Sequence, residues 1–202
     1  ALSGVINVIT RSGTDTFLGI ANAEAGDGSF RRGGFRLSGP ATESSRFSVG
    51  LGIVEDGNSS SQDSFNGSSI TAKLDLAQSS PTSVSIYARH TSADSRGFPD
   101  SSGGPELAVI RNMTQRKSDD NSASVALTSQ LSPSSELHFA ATYYDHRERV
   151  TSPGVAAGFG SGIPANRSDS DFSRSTLNLF VESVLTARLD LAAGLGYEHE
   201  DG

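Results

Sequence analysis

The four histidines are the side chains best suited to acid–base or metal chemistry, and their spacing argues against both. His138 and His146 have the same parity in one predicted strand, so both point to its polar side. Eight residues of extended chain separate them by about 26 Å, too far to share a metal. His90 and His199 stand by themselves near strand ends, without the ligand spacing of a zinc site. The chain has no cysteine, which removes disulfides and thiolate ligands together. Tyr144-Asp145-His146 resembles a catalytic triad on paper, but neighbouring strand residues face opposite ways. Gly158-Phe159-Gly160-Ser161-Gly162 lacks the preceding strand, the following helix and the glycine spacing of a dinucleotide loop, and reads as an outer loop. No residue is expected to be catalytic. Asp56-Gly57-Asn58 and Asp63 supply oxygen ligands, making Asp56 and Asp63 the calcium candidates; Ser61 stands where a calcium loop carries its sixth-position glycine. No other cofactor is expected. Asn58-Ser59-Ser60, Asn66-Gly67-Ser68, Asn112-Met113-Thr114 and Asn166-Arg167-Ser168 match the glycosylation acceptor pattern, as a Ser-rich chain does by chance.

The elements that position these residues are strands. Of 202 residues, 35% are hydrophobic and 22 are glycine, too few large apolar groups for an ordinary soluble core of this size. A sheet with one apolar and one wet face needs fewer. The net charge of −7 and the scattered basic residues argue against a nucleic-acid partner. No run approaches the ~18 apolar residues of a membrane helix, which leaves alternating barrel strands open.

Period two recurs along the whole chain. Strands are predicted near 15–26, 29–38, 45–55, 69–78, the stretch holding 84–89, 121–131, 135–148, 171–184 and 187–200. In the third, Phe47, Val49, Leu51 and Ile53 oppose Arg46, Ser48, Gly50 and Gly52. In the seventh, Leu137, Phe139, Ala141 and Tyr143 oppose His138, Thr142 and His146. Asp27-Gly28 supplies a tight turn, and Gly39-Pro40 is expected to end the second strand. Glu24, Arg32, Arg36, Arg46, Lys73, Asp75, Arg89, Arg174 and Glu182 all fall on the polar side, forming a wall of mixed charge.

Short connections near 39–44, 79–82, 132–134 and 185–187 alternate with long ones over 56–68, 95–120 and 149–170. Short turns at one rim and long loops at the other are the arrangement of outer-membrane barrels. The prediction is therefore all-β: an antiparallel transmembrane β-barrel, present in part as about nine strands. Nine is odd and leaves two unpaired edges, so the chain is expected to be a fragment. A soluble all-β binding module would carry a core face richer in large residues. A passive porin or adhesin-type barrel would lack the opening segment described next.

That segment is Gly4-Val5-Ile6-Asn7-Val8-Ile9-Thr10-Arg11, an apolar, β-branched run ended by Ser12-Gly13. It closely resembles the last plug strand of TonB-dependent outer-membrane receptors, which reads G-G-V-I-N-I-I-T-K/R before the barrel. Phe35-Arg36-Leu37-Ser38-Gly39 and Val54-Glu55-Asp56-Gly57 are similar to the barrel phrases of the cobalamin and ferric-siderophore members. The resemblance implies a plug C-terminal end at 1–13 and the N-terminal part of a barrel of about 22 strands at 14–202. It further implies residence in the bacterial outer membrane, contact with its lipid, and energised uptake of a metal chelate or cobalamin. The TonB complex would act through plug residues that are absent from this chain, and no ligand-binding residue follows from the resemblance. The apolar Leu107-Ala108-Val109-Ile110 is expected to fold back over the ligand.

Overall fold

Alternation carried into registered pairs gives one nine-stranded antiparallel sheet in sequence order, β1 through β9. The computed structural model describes residues 12–57, 63–77, 80–98, 114–154, 162–186 and 188–202. The strands are β1 (Leu18–Ala25), β2 (Arg31–Thr42), β3 (Ser45–Gly57), β4 (Ser64–Leu76), β5 (Thr82–Gly97), β6 (Thr114–Ser132), β7 (Ser135–Ser152), β8 (Asn166–Thr186) and β9 (Leu189–Asp201). All nine expected strands are present, and a single 3₁₀ turn at Asp27–Ser29 closes the first hairpin. Among the described residues β1 pairs only with β2, and β9 only with β8. The predicted junction motif Gly4–Arg11, the apolar Leu107–Ile110 and most of the Gly158–Gly162 loop lie outside the described residues.

Register assigns each side chain to a face. Leu76, Val84, Leu127, Phe139, Leu179 and Leu195 form one continuous cross-strand row. Two residues above that level lies the row Leu74, Ile86, Val125, Ala141, Leu177 and Tyr197, on the same face. The opposite face carries the row Arg36, Gly50, Thr71, Arg89, Ser122, Tyr144, Arg174 and Glu200. The nine charged residues expected on the polar side all lie there by the same register.

The burial is inverted relative to a soluble domain. Among the described residues there is no buried hydrophobic core; the buried side chains are Ser38, Ser45, Ser48 and Asp75. Leu51, Ile53, Leu179, Leu191, Leu195 and Tyr197 are all exposed. An apolar face this continuous needs cover from another surface or from lipid.

Several strands outrun their sequence-predicted bounds. β5 continues to Gly97, β6 starts at Thr114, β7 extends to Ser152 and β8 starts at Asn166, so the predicted loops at 95–120 and 149–170 are much shorter. The loop at 56–68 shrinks likewise, because β4 begins at Ser64 and takes in Asn66-Gly67-Ser68. Above the apolar band both faces are polar, so period-two contrast disappears while backbone pairing continues. Cross-strand charge pairs replace it: Lys117 with Asp94 at 3.5 Å, Arg149 with Asp169 at 2.5 Å, and Arg147 with Asp171 at 4.0 Å. Asp169 is held below the usual carboxylate range by hydrogen bonds from Arg167 and Arg149. Pro40 does not end β2; it pairs with Arg46 beside a register shift next to the turn, a position where a missing N–H is tolerated.

Candidate functional site

The polar face is where chemistry can be displayed, and two clusters on it are built by the register. The first lies at the short-turn rim. Residues 12–16 precede β1 and run across the polar face of β2–β4. The Lys73 ammonium donates to Ser12 Oγ at 2.8 Å, and Arg36 donates to the Ser12 carbonyl at 3.1 Å. Thr14 and Ser38 hydroxyls meet at 3.0 Å, and Arg46 reaches Asp15 through Nε at 2.6 Å and Nη2 at 2.5 Å. Gly13 lies directly on the backbone of β3: a Cβ there would stand 2.6 Å from both the amide N and the carbonyl O of Phe47. Only a residue without a side chain allows that approach. This cover is why Ser38 is fully buried.

The second cluster lies toward the long-loop rim, just above the apolar band. Asp120 on β6 accepts from the Tyr144 hydroxyl at 2.6 Å and pairs with His146 Nδ1 at 2.8 Å. Tyr144 and His146 stack with ring centroids 6.4 Å apart, and Phe172 tilts against Tyr144 at 6.3 Å. Burial pushes Asp120 up, but the hydrogen bonds from Tyr144 and His146, with the charges of His146 and Arg89, outweigh it and set its pKa below the ordinary value. A carboxylate on Nδ1 fixes the imidazole and leaves Nε2 for another partner. Beside this shelf Arg174 pairs with Glu198 at 2.7 Å and Glu200 at 3.4 Å. The result is an aromatic and charged surface suited to binding.

Asp145, adjacent to this pair in sequence, is not its partner, as expected for neighbours in a strand. Asp145 points to the other face, where it meets Asn121 at 3.3 Å. Asp120 was expected in a loop. The signal that could have found it is the pairing of Asp120 with His146 once β6 and β7 are aligned through the Ser132/Ser135 turn.

The remaining sequence candidates are dispersed. His138 stacks on Phe180 at 4.6 Å, with Glu136 at 3.8 Å and Glu182 at 4.0 Å. His90 faces the apolar side and meets Asn121 at 2.8 Å, while His199 lies opposite Ser175 on β8. Asp56 pairs in register with Phe65 near the end of β3; Asp63 precedes β4, with one carboxylate oxygen buried and lacking a hydrogen bond. The intervening residues 58–62 lie outside the described ones. Among the described residues no group of three or more His, Asp or Glu side chains is gathered to hold a metal. A shallow trough of about 300 Å³ has Gly34, Gly52 and Gly67 in its lining, along with the side chains of Arg32 and Arg89.

No family model and no curated protein matches the sequence. Solved structures are similar to this chain in fold. The ferric-catecholate import receptor Fiu of E. coli K12 in its closed form superposes with a TM-score of 0.73 at 11% identity, covering 99% of this chain and 34% of that one. Its open form gives 0.68 at 9%, covering 95% and 35%. The siderophore receptor PiuA of Acinetobacter baumannii gives 0.70 at 13%, covering 95% and 32%. The chain thus spans about a third of the length of these receptors, and over that span it is similar to them in fold.

Proposed function

We propose that the chain is part of the barrel wall of a TonB-dependent outer-membrane receptor that takes up a large, scarce ligand such as a ferric siderophore or cobalamin. In this reading residues 1–13 are the plug terminus, and 14–202 are the first barrel strands. The polar face lines the lumen, the apolar face meets outer-membrane lipid, and the TonB complex acts through the plug. The protein is a transporter and carries out no bond chemistry. The observation that carries the reading is the inverted burial of a sheet similar in fold to siderophore-receptor barrels over 95–99% of this chain. An apolar outer band with a polar interior is the requirement of a water-lined wall in a membrane. Residues 12–16, the junction segment between the proposed plug end and β1, lie on the polar face and support the reading further, since a plug inside the lumen must hand the chain to β1 from that side.

The test is energised uptake. A strain lacking the complete protein is expected to lose uptake of at least one labelled ferric chelate or of cobalamin, with transport in the parent strain abolished by a protonophore. Unchanged uptake of every chelate and of cobalamin, with the protein in the soluble fraction, would overturn the reading.

A further inference from the structure

At the short-turn rim, Arg46 and Asp75 are direct cross-strand partners in the β3–β4 register, so their side chains leave the same face about 5 Å apart. Asp75 is 3% exposed, and its Oδ2 is buried with no hydrogen-bond partner. Its other oxygen takes the Ser85 hydroxyl at 2.5 Å and faces the Lys73 ammonium at 3.4 Å. The guanidinium that register offers to Asp75 goes elsewhere. Arg46 puts Nε and Nη2 on Asp15 of residues 12–16, a side chain 86% exposed, and Nη1 within 3.4 Å of the Glu43 and Ser45 carbonyls. A buried acceptor therefore lies unanswered while its natural donor serves a solvated carboxylate. Buried lone pairs are costly to leave unmet, and exposed ion pairs hold weakly.

We infer that Arg46 exchanges between two carboxylates, Asp15 when the junction segment lies on the wall and Asp75 when it lifts away. In the docked state Asp15, Ser12 and Gly13 occupy the wall, with Lys73 and Arg36 on Ser12. On release Arg46 turns onto Asp75 and satisfies the orphaned oxygen. The electrostatic cost of lifting the segment is thereby offset at the wall. The exchange makes residues 12–16 a releasable latch between whatever precedes them and β1. It rests on the geometry of the wall alone; the transport reading would supply the force that pulls the segment.

A disulfide trap reads the docked state. Thr14 and Ser38 hydroxyls are 3.0 Å apart, and no native cysteine of this stretch competes. The complete protein carrying T14C/S38C is oxidised in its folded form, and the rate of cross-linking is followed. D15N should slow it by about two- to fivefold, the range an exposed ion pair supplies. D75N removes the competing carboxylate and should accelerate cross-linking, by at most the reciprocal of the parent's docked fraction. S85A strips Asp75 of a donor, strengthens its claim on Arg46, and should slow the reaction. A merely structural Asp75 predicts the opposite sign for D75N, because losing it would loosen Lys73 and hence Ser12. Slower or unchanged cross-linking in D75N overturns the exchange. If that variant does not fold, unchanged or faster cross-linking in S85A does so. A protein recovered in the soluble fraction would refute transport and leave this assay valid.

Discussion

Leu179→Arg is expected to prevent stable assembly of the protein in the membrane. Leu179 sits between Phe139 and Leu195 on the apolar face and is exposed there. An arginine facing lipid at the middle of a barrel strand costs about 2–4 kcal/mol, a large share of the ~5–15 kcal/mol that folded proteins hold in reserve. Its neighbour Asn178 faces the other way, between Ala140 and Gly196. Asn178→Arg adds the same charge one residue along and should change stability by less than about 1 kcal/mol, as lumen-facing positions tolerate charge. Heat-modifiable migration and trypsin resistance of the membrane-inserted protein distinguish the two variants. Equal behaviour would mean that the apolar face does not meet lipid.

The second large effect is expected from a single methyl group. Gly13→Ala would place Cβ 2.6 Å from main-chain atoms of Phe47, and also 2.6 Å from the Arg46 Cβ. The backbone in the middle of a paired sheet cannot retreat, so the segment must lift. Overpacking of this kind costs about 1–3 kcal/mol. Lifting also breaks the contacts of Lys73 and Arg36 with Ser12. Limited proteolysis should then cut near residues 12–16 in the variant and spare the parent. Gly19→Ala is the control: a Cβ there meets nothing within 4 Å, and no new cleavage is expected.

Much of this architecture was legible in the alternation of side chains. The Phe47–Ile53 and Leu137–Tyr143 stripes placed their strands and faces correctly because a half-greasy strand has only one way to sit. Strand ends were less legible, since Asp94, Lys117, Arg149 and Asp169 pair across strands above the apolar band without any contrast between faces. Register was the harder loss. The polar cluster needed Asp120 beside His146, and Arg46 opposite Asp75, and both are facts of cross-strand alignment that no single segment carries. Gly13 read as a turn residue, whereas its use is close approach to β3. What the resemblance of residues 4–11 added was the family proposed above, with a cargo class and no ligand contacts, and those residues lie outside the described ones.

The most direct test of the central claim is a cysteine-accessibility scan of the complete protein in its native membrane, made practical by the absence of cysteine from this chain. Single cysteines replace Leu51, Val125 and Leu179 on the apolar face, and Ser124, Thr142 and Asn178 on the polar face. The account predicts that a small water-soluble maleimide labels the polar-face set and leaves the apolar-face set unreacted, while a fluorophore at the apolar-face sites is quenched by spin-labelled lipid. Labelling of Leu51, Val125 and Leu179 positions from water at the same rate as their neighbours, with no quenching by lipid, would contradict it.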